Sequence, residues 1–303
     1  MAAAILDGTA LARSRRAGLA AQVSEFTERH GIAPCLAAVL AGDDPASHAY
    51  VASKAKAAGR VGIRSETFAL PADVPAAEYF DLIDTLNRRA DVHGILPQLP
   101  LPPQIAADAV FARLNPEKDV DGLTPVNMGR LALGRPGIVP CTPLGIIALI
   151  DSAGVSPAGG PPGGGLAGHH DLIAGREAVV VGRSNIVGKP VALLLLARHA
   201  TVTICHSRTP DLAAQTRRAD ILVAAVGHPH LIRAAMVKPG AVVIDVGLTR
   251  VDGKIAGDVD FDAVREVAGA ITPMPGGTGP MTIAMVLENT LTAARRQLEH
   301  DEA

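Results

Sequence analysis

The stretch at 177–196, EAVVVGRSNIVGKPVALLLL, restricts the fold more than any other part of the chain. Its consecutive valines form a short, wholly apolar run that suits a strand buried on both faces, as in a parallel sheet. Gly182 ends the run. After the polar turn, Gly188 and Pro190 open an apolar segment long enough for a helix. A parallel strand needs a crossover, and a helix is the usual one. Further strands are predicted at 201–207 (TVTICHS), 220–227 (DILVAAVG) and 240–247 (GAVVIDVG), with helical pieces between them. The second half thus reads as a doubly wound nucleotide-binding sheet.

The first half alternates in the same way. A helix is predicted over 10–29, a buried strand over 33–42, and a helix from Pro45 to about Arg60 with Asp44 as its cap. A strand at 63–70, a helix at 77–89, a strand at 92–100 and a helix near 105–114 follow. The segment 115–134, NPEKDVDGLTPVNMGRLALG, holds many turn formers and reads as a long ordered loop. A helix over 141–154, capped by Thr142 with Pro143 at N1, connects the halves. The run SPAGGPPGGGLAG at 156–168 can nucleate neither helix nor strand and is expected to be a surface insertion. The expected fold class is α/β, with two α/β domains, the second Rossmann-like.

Composition narrows the function classes. The 303 residues are 48% hydrophobic and 19% charged, enough for a substantial core, which aromatics at 2% leave to Ala, Val, Leu and Ile. A net charge of -2 gives no footprint for nucleic acid or an acidic membrane surface. Cys35, Cys141 and Cys205 lie far apart, so neither a metal site nor a disulfide framework is expected. The N-terminus lacks the basic-then-apolar order of a signal peptide, and a cytoplasmic location is expected.

Several residues are candidates for chemistry. Gly182 and Gly188 are six apart, which departs from the GxGxxG fingerprint; a phosphate-cradling loop and a tight strand–helix turn both fit. The next strand ends in CHSRT rather than an acid for a ribose 2′-OH, so Ser207 and Arg183 favour NADP over NAD. Arg208 reads equally as a second ligand or a solvated side chain. Tyr50 and Lys54 are i,i+4 on the helix that starts at Pro45, as catalytic partners or as a packed ring beside a solvated amine. The Tyr-x-x-x-Lys spacing also occurs in short-chain dehydrogenases, but there it follows the nucleotide loop, whereas here it precedes it. Gln98 lies at the carboxyl end of a strand, where ligand crevices form in open sheets. Asp121 is as suited to gripping a ring N–H as to forming a turn, while Asp119, facing the other side, reads as solvated or structural. The segment 272–282, TPMPGGTGPMT, implies a rigid loop of close backbone approach, for a substrate or nicotinamide or simply as a strained turn.

Together, GDDPASHAYVASKAKA, VHGILPQLPLP, NPEKDVDGLTP, PCTPLG, VVVGRSNIVGKPVA, ATVTICHSRT, the DVG at Asp245–Gly247 and TPMPGGTGPMTIAMVLENT resemble the bifunctional methylenetetrahydrofolate dehydrogenase / methenyltetrahydrofolate cyclohydrolase (FolD) family. The likeness runs in order along nearly the whole chain. It implies NADP-dependent oxidation of 5,10-methylenetetrahydrofolate to 5,10-methenyltetrahydrofolate, then hydrolysis to 10-formyltetrahydrofolate. It also implies a folate-binding catalytic domain at 1–148, completed by a C-terminal helix at 280–303, and an NADP-binding domain at 149–279. By the same likeness, Lys54 is the general acid/base, Gln98 holds it or the water, Tyr50 packs on the folate ring, and Asp121 grips the pterin edge. Gly182, Arg183, Ser184, Ser207 and Leu248 contact NADP, and the chain pairs as a homodimer through the nucleotide domain. Pro97, Met274 and Thr278 stand where the family often has valine, and the 156–168 run is longer than its usual connector. A dehydrogenase with little cyclohydrolase activity and a non-catalytic NADP-binding scaffold are the competing readings.

Overall fold

The computed structural model describes residues 2–154, 172–251 and 254–299; the insertion expected at 156–168 lies outside the described residues. In chain order the elements are β1 (Ala4–Ile5), α1 (Gly8–His30), β2 (Cys35–Ala41), α2 (Pro45–Arg60), β3 (Arg64–Leu70), α3 (Ala76–Arg88) and β4 (Gly94–Pro97). Next come α4 (Ala107–Arg113), α5 (Pro125–Ala132), α6 (Cys141–Ser152), β5 (Glu177–Val181), α7 (Gly188–Ala197) and β6 (Thr201–Cys205). The chain continues through α8 (Leu212–Thr216), β7 (Ile221–Ala224), β8 (Val242–Asp245), β9 (Thr249–Val251) and β10 (Lys254–Ala256), and closes with α9 (Phe261–Arg265), β11 (Ala270–Ile271) and α10 (Thr278–Glu299).

Two compact units result: Arg13–Cys141 with Ile283–Ala303, and Met1–Ala12 with Thr142–Thr282. The division expected at 148/149 therefore falls earlier, beside Cys141, and the N-terminal residues join the nucleotide half. The cause is backbone pairing: β1 hydrogen-bonds in parallel register with β11, Ala4 opposite Ala270 and Ile5 opposite Ile271. A strand this short carries no periodicity to read.

The unit of Arg13–Cys141 is built on a parallel sheet of order β3-β2-β4. Every residue of β2 is buried, as a central parallel strand requires. Cys35, Ala37, Val39 and Ala41 share one face and meet Tyr79, Ile83 and Leu86, the apolar stripe of α3. Burying the Ile83 and Leu86 side chains of that stripe stabilises the unit by roughly 1.5–3 kcal/mol each. Helix α2 begins as the sequence predicts. The Asp44 carboxylate accepts from the amides of Ala46 and Ser47, at 3.4 and 2.9 Å, and Pro45 occupies the first turn. Its buried stripe is Ser47, Val51, Lys54 and Ala58, so Lys54 lies on the inward face, while Lys56 is exposed.

Two local expectations need correction. The segment 115–134 is not irregular throughout: α5 occupies Pro125–Ala132. Thr124 accepts from the Asn127 amide at 3.3 Å, and Pro125 follows it, the same cap-and-proline start that Asp44 and Pro45 provide. The connecting helix begins at Cys141, which puts Thr142 and Pro143 inside its first turn; the Thr142 hydroxyl bonds that of Thr282 at 3.0 Å instead of capping.

The other unit holds a six-stranded sheet, order β1-β11-β8-β7-β5-β6, parallel throughout. From β5 the chain moves outward to β6, then returns to the other side of β5 for β7. This reversal creates a crevice at the carboxyl ends of β5 and β7, the place where doubly wound sheets bind ligands. Val179, Val181, Leu222, Ala224 and Val243 form the core on one face of the sheet. The segment 272–282 closes within this unit: the Thr9 amide donates to the Gly276 carbonyl at 3.0 Å, and a methyl group on Gly8 would overlap the Gly277 carbonyl. Among the described residues, no helix is long and apolar enough to cross a membrane.

Candidate active site

In the first unit, the carboxyl ends of β2 and β4 and the inward face of α2 bring four of the predicted residues together. The Lys54 side chain is 4% exposed and donates from Nζ to Gln98 Oε1 at 3.1 Å. Gln98, itself buried, donates from Nε2 to the Leu99 carbonyl at 2.7 Å, which turns its oxygen toward the lysine. The Gln98 amide donates to the Val39 carbonyl at 2.8 Å, fixing the residue to the end of the central strand. Lys54 Nζ sits 4.4 Å from the centroid of the half-buried Tyr50 ring. A contact of that kind is worth about 0.5–2 kcal/mol to the charged amine.

Asp121 supplies the negative charge. Burial pushes the Lys54 ammonium below its ordinary range, and the carboxylate of Asp121 pulls it back only in part. Burial also raises the Asp121 carboxyl, an effect that Lys54 opposes and Asp119 reinforces. Each group is thus held closer to neutrality than in water, which for Lys54 suits proton transfer near pH 7.

Asp119 is structural rather than solvated. It is fully buried, and its Oδ2 accepts from the Thr124 amide at 2.8 Å and from Asn127 Nδ2 at 3.0 Å, bracing the start of α5. Two residues of the same site carried no functional signal in the sequence. Cys141 donates from Sγ to the Val120 carbonyl at 3.0 Å and lies within hydrogen-bonding reach of the Asp121 carboxyl. Asn289 donates from Nδ2 to the carbonyls of Val120 and Val139 at 2.8 and 2.9 Å, and to Cys141 Sγ at 3.3 Å. Between them they hold the backbone next to Asp121. The nearest available signal was the motif PCTPLG, in which an isolated cysteine stands between prolines.

The other predicted residues lie in the second unit, at the carboxyl edge of its sheet. Gly182 follows β5 with φ +128, a conformation that favours glycine. Ser184 Oγ accepts from the amides of Val187 and Gly188 at 3.1 and 3.3 Å and shapes the turn into α7. Arg183, Ser207 and Leu248 are exposed just beyond β5, β6 and β8. This donor set fits a 2′-phosphorylated dinucleotide. The Arg183 guanidinium has no ion-pair partner among the described residues, and His206, Ser207, Arg208 and Thr209 include no carboxylate to repel a phosphate. Among the described residues, no cluster of His, Cys, Asp or Glu is arranged to hold a metal ion.

A Rossmann-like unit, together with an α/β unit whose buried lysine bonds a glutamine, defines a two-domain nucleotide-dependent enzyme. Residues 6–121 match the tetrahydrofolate dehydrogenase/cyclohydrolase catalytic domain, and residues 166–298 match the NAD(P)-binding domain of the same family. The chain belongs to this family, the FolD enzymes. It is 53% identical over 297 residues to the bifunctional protein FolD of Geobacillus thermodenitrificans, covering 98% of this chain and 99% of that one. Among solved structures, the bifunctional FolD of Campylobacter jejuni superposes with a TM-score of 0.89 at 44% identity, covering 97% of this chain and 99% of its own. The Trypanosoma brucei dehydrogenase-cyclohydrolase, solved with NADP cofactor and inhibitor, does so at 0.89 and 40% identity, covering 98% and 99%.

Proposed function

We propose that Lys54 is the general acid/base of a bifunctional enzyme that oxidises 5,10-methylenetetrahydrofolate with NADP+ and hydrolyses the methenyl product to 10-formyltetrahydrofolate. The observation that carries this reading is the buried amine on Gln98 Oε1, facing Tyr50 and sharing its surroundings with Asp121. When bound, NADP+ accepts the hydride from the one-carbon bridge. Everything else is done by side chains.

Tyr50 stacks on the folate ring system, and Asp121 accepts from the pterin N–H and amino groups, so the one-carbon bridge is held beside Lys54. The methenyl product is a cation. Another unit charge at ~6 Å costs the lysine ammonium about 3 kcal/mol at an effective dielectric near 20, which favours the neutral amine. That amine takes a proton as water adds to the methenyl carbon, forming the new C–O bond. The same proton then passes to N5 as the C–N5 bond breaks, and the hydroxyl proton leaves to solvent. One water is consumed, one proton is released, and Lys54 returns to its starting state. Gln98 keeps Nζ aimed through both transfers.

In the second unit, Gly182 and Ser184 shape the phosphate loop, Arg183 and Ser207 grip the 2′-phosphate, and Leu248 covers the cofactor with an apolar surface. Absorbance on mixing the protein with methylenetetrahydrofolate tests the reading. Reduced cofactor is expected to form much faster with NADP+ than with NAD+ at equal concentration, with little methenyltetrahydrofolate accumulating. Equal rates with the two cofactors would remove the role of Arg183 and Ser207, and no reduced cofactor from either would remove the dehydrogenase.

The chain is also proposed to work in the cytoplasm, where its buried free thiols Cys35, Cys141 and Cys205 stay reduced, and to act as a homodimer. Support for pairing comes from β6, an edge strand whose Ile204 is 42% exposed, and from Leu196 of α7, 59% exposed. Sedimentation equilibrium is expected to give twice the chain mass for wild type and the single chain mass for Ile204→Lys with Leu196→Glu. A monomeric wild type would end that proposal.

A further inference from the structure

Behind the carboxyl edge of the second unit lies a pair of buried carboxylates that the chemistry above does not use. Asp258 is fully buried, and its side chain accepts from three successive amides of the loop after β7. Oδ2 takes those of Val226 and Gly227 at 2.6 and 3.1 Å, and Oδ1 takes that of His228 at 2.7 Å. No cation partners it among the described residues; the converging backbone dipoles compensate its charge.

Asp245, at the end of β8, holds Asp258 in turn. Its Oδ1 accepts from the amides of Gly247 and Asp258, each at 2.9 Å, and its Oδ2 accepts from the Val259 amide at 3.1 Å. Two glycines make room for this. A methyl group on Gly247 would overlap the Asp258 carboxylate, and one on Gly257 would overlap that of Asp245. A buried carboxylate without a cation costs free energy, so a chain that keeps two of them side by side holds them for position.

What they position is the ligand crevice. The loop after β7 starts at Ala225, whose amide donates to the Val181 carbonyl at 2.8 Å, and a methyl group on Gly182 would overlap the Ala225 carbonyl. This loop therefore lies directly against the start of the turn assigned above to the cofactor phosphates, at the point where the strand order reverses. The Gly247 amide, next to Leu248, belongs to the same lattice of bonds, and Thr249 Oγ1 ties back to the Gly227 carbonyl at 3.2 Å.

We propose that Asp258, held by Asp245, is a positioning residue for NADP binding, fixing the loops after β7 and β8 against the phosphate turn at Gly182. The inference rests on the functional reading above, since it needs NADP to occupy that crevice. Asp258 touches neither cofactor nor substrate; it acts through the amides of Val226, Gly227 and His228.

The test is Asp258→Asn, whose amide nitrogen cannot accept the bonds that one carboxylate oxygen takes. Three readouts are compared with wild type: calorimetric Kd for NADP+, hydrogen exchange of the 226–228 amides, and hydrolysis of supplied methenyltetrahydrofolate, which needs no cofactor. The expected result is faster exchange at 226–228, a Kd raised about tenfold or more, and hydrolysis within about twofold of wild type, for a loss of one or two charge-assisted bonds. Faster exchange with an unchanged Kd would overturn the proposal, as would unchanged exchange. If Asp258→Asn loses hydrolysis as well, the substitution has damaged the fold. Asp245→Asn, which leaves the Asp258 carboxylate in place, then decides by the same Kd criterion. A wild type that binds no NADP+ would instead overturn the functional reading, so the two failures are separable.

Discussion

Lys54→Met is expected to abolish hydrolysis of supplied methenyltetrahydrofolate, lowering kcat by about 10²–10⁴, the range that general acid–base catalysis contributes. Methionine keeps the length and apolar stem of the side chain in a site where Lys54 is 4% exposed, so the fold should tolerate it. It cannot carry a proton. Mixed with methylenetetrahydrofolate and NADP+, the variant should accumulate the methenyl intermediate in proportion to whatever hydride transfer remains. The pH profile gives a second check. Because burial lowers the lysine pKa, wild-type hydrolysis should rise with pH and level off below the ordinary lysine value of ~10.4. Methionine should erase that inflection. If the variant hydrolyses at the wild-type rate, Lys54 is a neighbour of the chemistry and the mechanism above is wrong.

The second large effect belongs to Gly188. A Cβ there would meet the Gly182 carbonyl carbon at 2.6 Å and the Arg183 amide nitrogen at 2.8 Å, both backbone atoms of the turn proposed above to hold the cofactor phosphates. Neither can rotate away, so Gly188→Ala must displace the loop. Overpacking of this kind costs about 1–3 kcal/mol, and if the loss falls on cofactor binding, kcat/KM for NADP+ drops by roughly 5- to 150-fold. Hydrolysis of methenyltetrahydrofolate should survive, since its residues lie in the other unit. Gly18→Ala is the control: in α1, with nothing within 4 Å of the added carbon, it should leave both activities intact. A Gly188→Ala enzyme with wild-type kinetics toward NADP+ would show that the close approach to Gly182 is only a packing feature.

The contrast between Asp44 and Asp119 shows which kinds of information were legible along the chain. Asp44 caps α2 through amides two and three residues away, a short-range bond that Asp followed by Pro announces. The same signal, Thr followed by Pro at 124–125, opens α5, yet it was obscured by the surrounding glycines and prolines. Asp119 and Asp121, by contrast, could be told apart only as facing opposite ways. That one is sealed against Asn127 while the other shares an electrostatic environment with Lys54 depends on elements folding over them.

Neighbouring residues alone specify the alternation of strands and helices, the capped start of α2 that carries Tyr50 and Lys54, and a strand that ends in CHSRT without an acid for a ribose. All of these follow from interactions between residues within a few positions of one another. Folding sets which half claims the N-terminal strand, that Cys141 and Asn289 stand behind Asp121, and that Asp258 and Asp245 lie side by side against the loop after β7. Those facts rest on residues brought together from distant parts of the chain. Burial, hydrogen-bond satisfaction and the pKa shifts they produce are properties of that meeting, and no local pattern encodes them.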